Sequence, residues 1–332
     1  MRNVPPVNEL LTPEQLRALQ ARSDWRGAWQ VAHAWGVILL AAALCVAWPN
    51  PLSYLLAVIV IGSRQLGLLI LMHDAAHGAL FRTPALNRHV AQLLCAWPTL
   101  ADTHVYRRYH LRHHAHTQRP EDPDIILTGH YPITRASLRR KLLRDLVGRT
   151  GFAQRKAQLL HALGPRDLPF AARARRLWRE FGPQLASNLA LAALAAAAGH
   201  AWVYWALWLL PLLTWQQLAL RVRNIAEHAC VRAADDPFGN ARTTVAGWLE
   251  RALVAPYWVN YHLEHHLVPW VPCHRLPLLR RFLLANGYGE RIETAPGYLD
   301  VLRRVTVDAP EDPQGRRRKR ASGTFAQGFE AA

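Results

Sequence analysis

The stretch Asn260-Tyr-His-Leu-Glu-His-His266 places three histidines in five positions, just after the apolar run Ala255-Pro-Tyr-Trp-Val259. On a helix, residues three and four apart share a face, so these imidazoles project into one volume. A solvated helix end would explain one such cluster. The chain holds two more: His110-Leu-Arg-His-His114 repeats the spacing, and His73-Asp-Ala-Ala-His77 sets two histidines four apart. With 17 histidines in 332 residues, chance yields an HxxHH in roughly one such chain in twenty. Two copies together with an HxxxH point instead to a metal site, because neutral imidazole is a good ligand for iron, zinc or copper.

Around these clusters the composition is strongly segregated. Half the residues are hydrophobic, 13 are tryptophan, and the formal net charge is +17, so long apolar runs alternate with stretches dense in arginine. That alternation suggests an all-α integral membrane protein with basic aqueous parts. Four spans are expected, at about Ala28 to Trp48, Leu52 to Met72, Pro183 to Gly199 and Ala201 to Leu220. Each approaches the roughly 20 residues that cross a hydrocarbon core. The links Trp48 to Pro51 and Gly199 to Ala201 contain no lysine or arginine, whereas arginines flank the opposite ends. The positive-inside tendency therefore places both termini, the long middle region and the histidine clusters in the cytoplasm, the clusters on a helical cap.

Residues 1–27 read as a cytoplasmic segment with a short helix from Thr12, with Pro13 at its first position, expected along the membrane surface. Residues 28–307 form the membrane domain, in which Val90 to Leu100 reads as an interfacial or re-entrant helix. Residues 308–332, with Arg316-Arg-Arg-Lys-Arg320, read as a disordered basic tail. Met1 to Leu11 lacks the pattern of a cleaved signal, so the first apolar run is expected to be retained. Cys45, Cys95, Cys230 and Cys273 are scattered and form no CxxC pair. Zinc-finger, RNA-recognition and phosphate-loop signatures are missing, so the basic charge is not read as nucleic-acid binding.

A fourth element fits the same geometry. Asn224-Ile-Ala-Glu-His228 puts an amide and an imidazole four apart just beyond the last span, at the membrane depth of His73 and His77. In order and placement, HxxxH, HxxHH and HxxHH between spans resemble the integral-membrane fatty acid desaturase superfamily, which includes related hydroxylases and carotenoid oxygenases. The stretches Arg64 to His77, Tyr109 to His114 and Glu121-Asp-Pro-Asp124 carry that resemblance. It implies a di-iron centre held by His73, His77, His110, His113, His114, His262, His265 and His266, with Asn224 and His228 as further ligands of the stearoyl-type site.

It also implies an oxygen-dependent lipid oxidoreductase, most simply a fatty-acyl desaturase, using two ferrous ions and dioxygen in a bacterial-type inner membrane. No fused haem or iron-sulfur motif accompanies the boxes, so a separate electron donor such as a ferredoxin is expected, steered by the basic surface. Hydroxylation or ketolation of a lipid or carotenoid is the competitor within the same chemistry. A zinc-dependent membrane hydrolase is disfavoured, since HExxH is absent and eight to ten ligands exceed one zinc site. A transporter would place its ligands at mid-membrane.

His33, His89, His104, His130, His161, His200 and His274 lack partners at helical spacing and read as packing or surface residues. His116 is at most an outer neighbour of His113. Asp74, Asp122, Asp124, Glu227 and Glu264 sit beside ligands, either to orient imidazoles or as ordinary solvated acids. Arg64, late in an apolar run, either snorkels to cytoplasmic headgroups or contacts an acyl headgroup or a carboxylate near the site.

Overall fold

The computed structural model describes residues 5–233 and 235–308. The basic run Arg316 to Arg320 lies outside them. The fold is almost wholly helical. Helix α1 (Pro13–Gln20) begins at the expected cap, where Thr12 and Gln15 bond reciprocally to each other's backbone N–H. Its Leu19 is buried with Leu10 and Leu11 against Leu276, Leu279 and Leu283, so protein covers the face expected to meet lipid.

Helices α2 (Asp24–Ala47) and α3 (Pro51–Ala76) form an antiparallel hairpin, and both are long and apolar enough to cross a membrane. The turn is set by Asn50, whose Oδ1 accepts from the N–H groups of Leu52 and Ser53, with Pro51 opening the second helix. Leu39, Leu40, Leu52, Leu55 and Leu56 face outward near this turn. Trp48 is exposed at the turn and Trp25 and Trp29 at the far end, the pattern of interfacial aromatic belts. Toward its C-terminus α3 changes character, because nearly every residue from Ile61 to Ala76 is buried in protein. That change carries His73 and His77 out of the apolar hairpin and into a cap.

The expected helix at Val90 to Leu100 is a compound element. An α-turn (Pro84–Val90) passes into a π-helical segment (Ala91–Ala96) and a 3-10 turn (Trp97–Thr99), ending at Leu100 with φ 61°. Gln92 then accepts from Thr103 N–H, while Asp102 caps α4 (Thr103–His116) through His104 and Val105 N–H. Helices α5 (Arg135–Leu146), α6 (Arg149–Leu163) and α7 (Phe170–Ala197) follow. The third expected span falls on the C-terminal half of α7, which continues through Pro183 from an arginine-rich first half. The fourth is broken. A π-helical segment (Tyr204–Leu209) and a single turn (Leu210–Leu213) end at Thr214, whose φ of -118° and ψ of -89° are not helical, before α8 (Trp215–His228) begins. Pro211 supplies no N–H to this stretch, which weakens the helix ladder there.

The remainder builds the cap: α9 (Trp248–Leu253), α10 (His262–Leu267) and α11 (Leu276–Ala285). Two parallel two-residue pairings, Ile133–Thr134 with Thr306–Val307 and Thr243–Thr244 with Thr294–Ala295, tie its loops together. Among the described residues four apolar clusters divide the interior: one between the hairpin helices, one under α10 and α11, one around α8, and a small one of Leu100, Ala162, Phe181 and Leu212; Tyr257 packs against the first three. Truncating a buried leucine in such clusters to alanine costs about 2–5 kcal/mol.

Candidate metal centre

The boxes converge from four directions. Helix α3 supplies His73 and, at its C-cap, His77; α4 supplies His110, His113 and His114; α8 ends in His228; α10 supplies His262, His265 and His266. Their ligand-type atoms form two groups, each gathered within 4.8 Å: His73, His77, His110, His114 and His265 in one, His113, His228, His262 and His266 in the other. Each HxxHH box is therefore split. The four-apart pairs His110/His114 and His262/His266 stay together, while His113 and His265 each cross to the opposite group. The groups abut, with the His114 and His266 rings stacked at 4.3 Å.

Within each group Nε2 atoms face one another. His114 Nε2 lies 2.9 Å from His110 Nε2 and 3.0 Å from His265 Nε2, and His262 Nε2 lies 2.9 Å from His228 Nε2 and 3.0 Å from His266 Nε2. A neutral imidazole has one N–H, and a nitrogen facing two others cannot satisfy both by hydrogen bonding. Ligand nitrogens 2.0–2.1 Å from a shared metal would stand about 2.9 Å apart at right angles and about 3.3 Å apart at tetrahedral angles, by simple geometry on typical bond lengths. The observed separations, and 3.3 Å between His113 and His266 Nε2, fall on those edges. His73 Nε2 and His77 Nε2 are buried atoms without a hydrogen-bond partner among the described residues. This donor set fits metal ions.

The acids beside the ligands have distinct roles. Asp122 Oδ1 accepts from His113 Nδ1 at 2.8 Å, and the same carboxylate is fixed by the N–H groups of Gln118 and Asp124. Tyr109 donates its hydroxyl to Asp124. Glu227 receives both edges of the Arg223 guanidinium at 2.6 and 2.7 Å and stands 3.3 Å from His262 Nδ1. Asp74 stands 3.4 Å from His73 Nδ1 and accepts from Cys273 N–H, which docks α3 to the segment before α11. Glu264 faces away from the imidazoles and anchors α10 to Thr243 and Arg280. Such partners fix imidazole tautomer and orientation.

Burial pushes His77, His110, His228, His262, His265 and His266 well below the usual histidine range, reinforced by their cationic and imidazole neighbours. At His113 burial acts the same way, but Asp124, Asp122 and Glu227 outweigh it and the shift is upward. Neutral rings are the form that binds metal.

Asn224 lies one turn before His228 on α8, half-buried, with no hydrogen bond to its side-chain amide among the described residues. His116 and the seven histidines without helical partners stay outside both groups. Sequence reasoning missed Gln118, which donates to the His228 carbonyl at 2.7 Å. It also missed Arg242, whose guanidinium binds the carbonyls of Ala226, Ala229 and Cys230 and so caps α8. Neither stands at a spacing that marks it.

Nine imidazoles in two abutting groups, eight of them buried and His77 half-buried, held in a helical cap on an apolar hairpin, define a membrane-associated protein with a histidine-rich metal site. The profile of fatty acid desaturases matches residues 47–294, and the chain belongs to that family. It is similar to dihydrorhizobitoxine desaturase of Bradyrhizobium elkanii, with 29% identity over 257 residues that cover 74% of this chain and 72% of the relative. The protein is an oxidoreductase of the desaturase and hydroxylase type.

Proposed function

We propose that this protein introduces a double bond into a fatty-acyl or other lipid chain, using two iron ions, dioxygen and electrons from a separate carrier such as a ferredoxin. The observation that carries the reading is the pairing of the two histidine groups, whose nitrogen separations suit one metal ion each. His73, His77, His110, His114 and His265 would hold the first ion. His113, His228, His262 and His266 would hold the second, with Asn224 as a weaker ligand or as the holder of a bound water.

Iron, when bound, supplies the oxygen activation that removes hydrogen from an unactivated methylene. Taking two hydrogens from adjacent carbons while dioxygen becomes two waters consumes two further electrons and two protons, which is why a donor is needed. The +17 chain offers an acidic donor a basic surface. The protein's own part is orientation and exclusion of water. Asp122 holds His113 through Nδ1, Glu227 faces His262, and Arg242 and Gln118 fix the end of α8 that presents His228. Hydroxylation and ketolation use the same chemistry, and the relative's name favours desaturation.

The same reading places four spans in a bacterial-type inner membrane, with the termini and metal site cytoplasmic. The arginine-free links and the aromatic residues at both ends of the hairpin support it. The test is expression in a host lacking the activity, with mass spectrometry of total lipids and metal analysis of the purified protein. New double bonds with close to two irons per chain are expected. Stoichiometric zinc with no iron-dependent product would sink the proposal.

A further inference from the structure

Arg64 lies on α3 nine residues before His73, about 13.5 Å at the helical rise per residue. It is only 9% exposed. Its guanidinium donates to the Ala252 carbonyl and lies 5.8 Å from the centre of the Tyr257 ring. Among the described residues, no carboxylate comes within ion-pair distance of it. Arg221, Arg223, Arg242 and Arg280, by contrast, each pair with an acid. A buried arginine without an anion is costly, and the fold retains this one at the edge of its apolar hairpin.

Arg64 opens on a cavity of about 330 Å³ lined also by Trp29, His33, Arg251, Tyr257 and Trp258. The lining holds two arginines and a histidine and no acid. Arg251, on α9, has no acid partner among the described residues either. The wall is built at a backbone cost: Tyr257 and Trp258 stand consecutively at φ 53° and 57°, a region uncommon for bulky residues. The Tyr257 hydroxyl donates to the Gln30 carbonyl and lies 3.1 Å from His33 Nδ1, which ties this wall to α2. Gly67 makes room for it, since a Cβ there would stand 2.8 Å from the Tyr257 ring. At the mouth Trp29 is 60% exposed, at the end of the outward apolar face of α2.

We propose that this cavity binds the monoanionic headgroup, carboxylate or phosphodiester, of an amphiphile whose chain lies in the bilayer. Arg64 is the principal counterion and Arg251 the second. The planar guanidinium fork suits two oxygens of either group. The inference rests on the desaturase reading only in taking this amphiphile as substrate, held at a fixed distance from the metal site.

Binding is measured without turnover, so its failure and failure of the desaturase reading are separate results. The detergent-solubilised full chain is equilibrated with radiolabelled palmitate, with hexadecanol as the uncharged control and dioleoylphosphatidylglycerol as competitor. The wild type is expected to retain palmitate at least about tenfold better than hexadecanol, and Arg64→Gln and Arg251→Gln to lose about tenfold in palmitate retention alone. Displacement of palmitate by the phospholipid would assign the site to a lipid phosphodiester, and no displacement to a carboxylate. Equal retention of palmitate and hexadecanol by the wild type overturns the proposal. Arg251 is exposed on a short helix, so its variant reports even where Arg64→Gln does not fold; unchanged palmitate retention in Arg251→Gln overturns the two-arginine site.

Discussion

Replacing Asp122 by asparagine tests whether the two histidine groups act as separate metal sites. The carboxylate is buried and accepts three hydrogen bonds, from His113 Nδ1 and Asp124 N–H at 2.8 Å on Oδ1 and from Gln118 N–H at 2.9 Å on Oδ2. An asparagine oxygen in the Oδ1 position keeps the first two. Its NH2 then meets the Gln118 N–H, donor against donor, which costs about 1–3 kcal/mol of stability in a buried site. Loss of the negative charge also makes His113 a poorer ligand. Outer-shell partners of metal-bound histidines contribute roughly 10–100-fold in affinity. Asp124 remains 3.6 Å from the same nitrogen, so the loss belongs at the lower end, about tenfold or ~1.4 kcal/mol. His113 belongs to one group only, so one iron of two should be affected. In a chelator titration followed by elemental analysis, Asp122→Asn should release one iron at about tenfold lower chelator and the other as in wild type. Simultaneous loss of both, or a titration identical to wild type, would refute the assignment of Asp122 to a single site.

His228→Ala should abolish turnover and lower iron content, whereas Asn224→Ala should slow turnover with smaller metal loss; full activity and both irons in His228→Ala would return the ligand set to the eight box histidines. His274 is pushed down to about 4, first by burial and then by Arg26 and Arg275. Because its folded pKa lies below the unfolded value of about 6.5, the unfolded chain binds more protons between the two, and stability present above pH ~6.5 is lost as pH falls toward 4. Melting temperatures at pH 7.5 and 5 should therefore diverge less in His274→Gln than in wild type, and an equal divergence would contradict the assignment. A reporter fused after Ala332 should stay cytoplasmic; a periplasmic C-terminus would mean that four spans with cytoplasmic termini is wrong.

What the sequence disclosed depended on periodicity. HxxHH and HxxxH are spacings, and a spacing of three or four is a statement about one helical face, so nine of the converging imidazoles were readable without coordinates. The hairpin was readable for a similar reason, since Pro49-Asn-Pro51 separates two apolar runs long enough to span. The fourth span was read as continuous because hydropathy is blind to backbone geometry: Thr214 interrupts the helix without interrupting the apolar run. The partner of the first helix was not legible, because an amphipathic face does not announce what covers it, and here Leu19 packs with residues some 260 positions later, around Leu276 to Leu283.

The division of labour inside the boxes was hidden for a sharper physical reason. Three residues on a helix advance by about 300° and four by about 400°, at 3.6 residues per turn, so the third and fourth positions after a histidine fall on opposite sides of its own direction. A single metal would gain from the pair four apart and strain to reach the residue beside it. Two metals side by side remove that strain, because each box gives its four-apart pair to one ion and its remaining histidine to the other. The side chains divide in that way, with His113 and His265 exchanged between the two groups. An HxxHH box is thus better suited to bridging between neighbouring sites than to closing one, and two such boxes facing each other make the pairing reciprocal.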